Sequence, residues 1–246
     1  MMKKIIIFAY LLSFNTFGAL KLDSIGEVIS VFESLSLRFT HKKDFRLVFA
    51  KTYLEVSKAI EKEILKNTYN YPEFIEAAVI EFALFYIDSL AKYKNNETVP
   101  LAWQEAFNLN DQKFPKLSIH LLLSMNAHIS HDLPIALEKV FQKGWDPVLV
   151  QSDYFKMNKM FEELIPQFFK LLYKMEITLS ITQKKVVKDY LILEIVKSMR
   201  ENAWKNAIKL FNLSDKEKVD FKEKINQESG DTAEIIFHSR YLIPAH

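Results

Sequence analysis

Asn126, His128, His131 and Asp132 fall within the stretch Ser124-Met-Asn-Ala-His-Ile-Ser-His-Asp-Leu-Pro134, directly after the mostly apolar run Ile119 to Met125. Nowhere else in the chain do imidazoles and a carboxylate crowd so apolar a segment. His128 and Asp132 are four residues apart, so a helix would turn both to one side, with His131 close to that side. Several chemistries suit this set. A neutral imidazole and a carboxylate are ligands for one divalent metal such as zinc, which would activate a water at an open position. Such a metal needs at least one further ligand: His131 is the local candidate and Asp153 the nearest distant one. The same pair can move protons. It can also be a buried hydrogen bond that orients two helices, or Asp132 can cap a helix starting at Pro134. Asn126 points almost opposite to His128 on an ideal helix, which suits a cap or a bond to a neighbouring helix better than a shared ligand role. An early break at Pro134 would loosen these facing arguments for His131 and Asp132. His120 lies about 80° around an ideal helix from His128 and reads as a boundary residue. His41, His238 and His246 sit near ends or loops and read as solvated.

The elements that must hold this cluster are helical by their apolar spacing. Ile25, Val28, Ile29, Phe32 and Leu35 follow a 3–4 spacing after Asp23-Ser24, a helix start. A helix to about Lys66 follows, with Asp44 as its N-cap. Pro72 suits the first turn of the next, which is apolar on most sides and therefore central. Pro100 opens a short helix carrying Trp103 and Phe107, and Pro115 begins the helix that delivers the cluster. Pro134 is expected to end or kink it before a helix to Lys143. Gly144 to Pro147 reads as a loop, and Ser152-Asp153 as the cap of a helix that Pro166 bends on its way to Met175. Glu176 to Ile181 is the one stretch with β character. A long helix from about Thr182 to Leu213 and a capping box, Ser214-x-x-Glu217, follow; Gly230 is expected to stop that last helix before a short one begins at Asp231. The sum is all-α: a single domain, an irregular bundle of about eight to ten helices.

Composition narrows the function classes. Only four glycines occur in 246 residues, and no Rossmann, P-loop or Gly-x-Ser-x-Gly pattern is present. Nucleotide-cofactor enzymes and most serine hydrolases are disfavoured. The net charge is +2 and no basic stripe stands out, so nucleic acid is not an expected partner. The aromatic load of 20 Phe, 10 Tyr and 3 Trp is assigned first to the core. A hydrophobic-ligand pocket near Phe161, Phe168, Phe169, Tyr173 and Trp204 is the minority reading.

The N-terminus has the three-part pattern of an export signal: Lys3-Lys4, an apolar run from Ile5 to Phe14, then small residues to Gly18 and Ala19. Cleavage after Gly18 would leave residues 19–246 as the mature domain, periplasmic or secreted, and would take the charge from +2 to 0 with Lys3 and Lys4. No other stretch reaches the roughly 18 uninterrupted apolar residues of a membrane span. There is no cysteine, so core packing alone must hold the fold.

The cluster motif Asn126-Ala-His-Ile-x-x-Asp-Leu-Pro134 resembles the signature of an uncharacterised bacterial family described only as a domain of unknown function. Asp44-Phe-Arg-Leu-Val-Phe-Ala-Lys-Thr-Tyr53, Pro72-Glu-Phe74, Pro100-Leu-Ala-Trp103 and Arg200-Glu-Asn-Ala-Trp204 fit the same family. The resemblance implies an all-helical domain with Asn126, His128 and Asp132 as its polar centre and Asp153 at a following acidic position. His131 is not part of that pattern, and the family brings no activity. A weaker resemblance is to exported helical zinc phosphoesterases of the phospholipase C and single-strand nuclease type. Those use an N-terminal tryptophan and more histidines than the six present here, which argues against a trinuclear cluster and leaves a single-metal site open. Two functions follow as expectations. One is a metal-dependent hydrolase centred on His128 and Asp132. The other is a non-catalytic helical binding or structural protein whose cluster is a buried hydrogen-bond network.

Overall fold

The computed structural model describes residues 20–109, 117–179 and 189–239. Among them the regular structure is nine α-helices and one π-helical segment, forming a single all-helical domain. The export-signal residues, Pro115 and the stretch 182–188 lie outside the described residues.

Helix α1 (Ile25–Lys42) starts where the sequence places it: the Ser24 hydroxyl accepts from the Glu27 N–H. It ends at Lys43 in the left-handed region, φ 51°. Helix α2 (Leu47–Leu65) begins three residues after Asp44. Asp44 does not cap it conventionally. Its carboxylate accepts from the Arg46 N–H at 3.0 Å and from the Arg46 guanidinium. Helix α3 (Pro72–Lys94) opens on Pro72, as a first-turn proline allows. Helix α4 (Leu101–Asn108) follows Pro100.

Several helix starts are capped from a distance. The Ile25 N–H donates to Glu76 Oε1 of α3, and the Leu101 N–H donates to Asn226 Oδ1 of the last helix. Free N–H groups at helix starts must find acceptors, and here tertiary packing supplies them.

The central rod is α5 (Leu117–Met125), the π-helical segment (Asn126–Asp132) and α6 (Leu133–Gln142), read as one path. The expected break at Pro134 does not occur. In an α-helix the ring of Pro134 would strike the Ser130 carbonyl one turn back. The π segment shifts the register instead: the Leu133 N–H reaches the His128 carbonyl, five residues back. Wide turns of this kind are rare and concentrate at functional sites.

Helix α7 (Pro147–Leu179) starts earlier than the sequence suggests. Asp146 caps it, its carboxylate accepting from the Val148 N–H at 2.8 Å. Asp153 therefore lies inside the helix. Pro166 is carried within it, and Glu176 to Leu179 is helical, not β. After α8 (Asp189–Asn212), the Ser214–Glu217 capping box starts α9 (Asp215–Ser239), with Ser214 N–H donating to Glu217 Oε2 at 3.0 Å. Gly230 does not stop α9. It is a contact residue: a Cβ there would meet Leu101 Cβ at 2.8 Å. Its missing side chain lets α9 approach α4 closely.

The core is built on interlocked aromatics. Phe32, Phe49, Tyr53, Tyr86, Trp103 and Phe107 touch one another around the inner end of the rod. His120 is in this buried interior too, and not at a boundary: it is 2% exposed and stacks on Phe45 at 5.3 Å.

Candidate functional site

Three N–H donors converge on one carboxylate of the π segment. Asp132 is fully buried. His128 Nδ1 lies 3.0 Å from its Oδ2, and His131 Nδ1 lies 2.8 Å from its Oδ1. The third donor is Trp103 Nε1 of α4, 2.8 Å from Oδ2. Burial by itself would raise the Asp132 pKa, but the bonds from His128 and His131 outweigh it and hold the carboxyl below its ordinary value. Asp132 is thus an anion, and each ring nitrogen facing it carries a hydrogen.

That fixes the state of His128. Burial lowers its pKa, and the bond and charge of Asp132 only partly oppose the shift. The ring is neutral with its proton on Nδ1, which leaves a lone pair on Nε2. Nε2 is buried and has no hydrogen-bond partner. The ring is held on its faces and edges by aromatics. Phe82 stacks on it at 3.3 Å with the planes 9° apart, and Phe49 and Tyr53 meet it edge-on at 5.0 Å. Desolvation, with a contribution from the Asp132 charge, also pushes the Tyr53 phenol up, so its hydroxyl stays protonated and donates to the Val79 carbonyl at 3.2 Å.

His128 is also one of the residues lining a cavity of about 70 Å³ between α2, α3, the π segment, α7 and α8. Its walls are almost wholly apolar, among them Val56, Phe82, Phe161, Ile165 and Phe168. Four of the lining residues carry polar groups: Thr52, Tyr53, His128 and Arg200. Thr52 Oγ1 is a second buried polar atom without a partner.

The residues singled out in the sequence separate into three places. His128, His131 and Asp132 are together. Asn126 turns away, as its helical position implies, and donates from Nδ2 to the Ser229 carbonyl of α9 at 2.8 Å. It does so beside Gly230, where α9 approaches closely. Asp153 is elsewhere: it accepts from the Tyr71 N–H at 2.6 Å, at the start of α3, with Lys156 beside it. Among the described residues, no three His, Cys, Asp or Glu side chains are grouped so as to hold a metal ion. Sequence reasoning missed Trp103 as a donor to Asp132, and Thr52 and Arg200 as cavity residues. All three stand in stretches that carry the family resemblance, but nothing in those stretches marks their roles. Of the aromatic set read as a minority ligand pocket, Phe161 and Phe168 do line the cavity, while Trp204 packs in the core. The side chains of Phe169 and Tyr173 lie outside the described residues.

No curated protein and no solved structure matches the chain. Among the described residues no helix is long and apolar enough to cross a membrane. The polar centre on a π-helical turn and the all-helical frame around it accompany a match of residues 25–239 to a family model, and the chain belongs to that family, DUF5995, a family of unknown function.

Proposed function

We propose that this protein binds a small, largely apolar molecule in the His128 cavity, and that His128 Nε2 is the hydrogen-bond and proton acceptor of the site. One observation carries the reading. His128, one of the residues lining an apolar cavity, has a buried ring nitrogen without a partner while its other nitrogen is fixed on a buried carboxylate. Leaving a polar atom unpaired inside a protein costs about 1–3 kcal/mol. A ligand that brings an O–H or N–H to Nε2 recovers that cost.

The probes that test this are isobutanol and isobutyronitrile, which share a branched body. The first brings a donor to Nε2; the second has only an acceptor. Isobutanol is expected to bind several-fold tighter by titration calorimetry, in line with one hydrogen bond of about 1 kcal/mol. Equal binding of the two, or none by either, contradicts the reading.

A catalytic version is favoured by the orientation of the pair. A neutral imidazole whose Nδ1–H rests on a carboxylate is the proton-accepting half of many acyl-transfer sites. Among the residues lining the cavity, Thr52 has a hydroxyl without a partner of its own. A metal-dependent hydrolase draws less support from the donor set. Asp132 uses both oxygens on N–H donors, and Asp153 is committed to Tyr71. Elemental analysis decides that version: stoichiometric metal in the wild type that disappears in His128→Ala would favour it.

A further inference from the structure

Arg200 stands on α8 at the wall of the same cavity and is 4% exposed. Its Nε donates to Asn158 Oδ1 at 2.9 Å, and its Nη2 donates to the Tyr154 carbonyl at 2.8 Å. The guanidinium lies over the Tyr154 ring at 4.3 Å and the Phe161 ring at 5.0 Å. All of these partners are neutral. The other buried ions among the described residues have opposite partners: Asp44 has Arg46, Glu138 has Lys218, and Asp153 has Lys156. Asp132 has its imidazoles. Arg200 alone has no carboxylate within ion-pair distance among the described residues. Buried charges are kept when something pairs them, and a guanidinium remains ionised whatever its surroundings.

We propose that the ligand of this cavity is a short hydroxycarboxylate, its carboxylate paired with Arg200 and its hydroxyl donating to His128 Nε2. This rests on the reading of the His128 cavity as a ligand site and adds the ligand's chemistry. The two polar ends dictate the two groups. A guanidinium has five N–H donors in a planar fork that matches a carboxylate, and the two bonds inside the protein leave others for a ligand. A carboxylate cannot face Nε2, because both would be acceptors, so a second, hydrogen-bearing group must sit there. Thr52, another residue lining the cavity, has an unpartnered Oγ1 that can serve either group.

The space sets the length. The cavity is about 70 Å³, and an adjoining one of about 40 Å³ is also lined by Arg200, Tyr53 and Phe82. An apolar cavity of about 150 Å³ takes benzene, so a body of three to five carbons, on the order of this space, is what fits. The wall chemistry requires that body to be apolar, as in a branched aliphatic chain.

The test is a matched set of probes on the wild-type protein at neutral pH: 2-hydroxyisobutyrate, 2-hydroxyisobutyramide and isobutanol. Acid and amide share the hydroxyl and the body and differ in charge. The acid is expected to bind at least tenfold more tightly than the amide. In Arg200→Met the acid should fall to the affinity of the amide, and in Arg200→Lys it should keep part of its advantage. Should Arg200→Met not fold, the wild-type comparison still decides. Equal affinity of acid and amide overturns the carboxylate assignment while leaving the His128 reading in place. Binding of isobutanol with neither hydroxy compound also overturns it. Failure of all three probes removes the cavity reading itself.

Discussion

At the residue scale, Asp132 is the hinge of the account, since three N–H groups from His128, His131 and Trp103 converge on it in a dry interior. Asp132→Ala would strand all three, and removing one partner from a buried charge network costs about 3–5 kcal/mol. Urea unfolding of the variant should show a loss of that size; a loss below about 1 kcal/mol, the range of exposed pairs, would mean the network is solvated. His120 makes the opposite case. It is buried against Phe45, its Nε2 has no partner, and burial lowers its pKa to about 3. Replacing it with leucine removes an unpaired polar atom at similar volume, so His120→Leu should melt at the same or a higher temperature. A clear drop in melting temperature would indicate that His120 has a polar task. The cluster motif itself was legible in the sequence because imidazoles and a carboxylate are conspicuous in an apolar run. Thr52 and Arg200 were not, because a threonine or an arginine on a helix is ordinary until its partners are known to be missing.

At the element scale, the helical class and most helix starts follow from spacing and caps: Ser24, Pro72 and the Ser214–Glu217 box all lie where helices begin. The errors share one cause. Pro134 and Gly230 are helix breakers by local chemistry, yet tertiary structure retains both inside continuous helices. Pro134 is accommodated by the wider π turn before it, and Gly230 is needed for its lack of a Cβ against Leu101. Asp153 was misplaced for a related reason. Asp146-Pro147 reads locally as a loop, yet the helix begins there, more than a turn before Asp153. Gly230→Ala tests the close approach. Helix propensity alone favours alanine by about 1 kcal/mol. The contact with Leu101 Cβ should outweigh that gain and give a net loss of about 1–2 kcal/mol, the range of overpacked cores. A net gain would show that α9 can move away without cost, and the bond from Asn126 to the Ser229 carbonyl would then not depend on it.

At the scale of the whole molecule, stability should fall on acidification. His120 and His128 have pKa values below the ordinary 6.5 when folded, so the unfolded chain takes up protons that the native chain refuses. Asp132, also lowered, acts in the same direction below its ordinary 3.8. Each histidine therefore contributes a slope of up to about 1.4 kcal/mol per pH unit. For His120 this window runs from 6.5 down to about 3. Chemical denaturation at pH 7 and pH 5 should show the loss, and His120→Leu should flatten it; a flat wild-type profile would mean that the imidazoles are protonated in the folded protein. Export remains a proposal on the sequence pattern of residues 1–18, and intact-mass analysis of the exported protein should find a start near Ala19. Function, as proposed, turns on His128: a neutral ring, protonated on Nδ1, whose partnerless Nε2 takes a ligand's donor. Side-chain nitrogen-15 resonances of a histidine-labelled sample at neutral pH test it directly. The account predicts a pyrrole-type shift for Nδ1 and a pyridine-type shift for Nε2, with Nε2 moving as isobutanol is added. A protonated Nε2, or an Nε2 shift indifferent to saturating isobutanol, would contradict it.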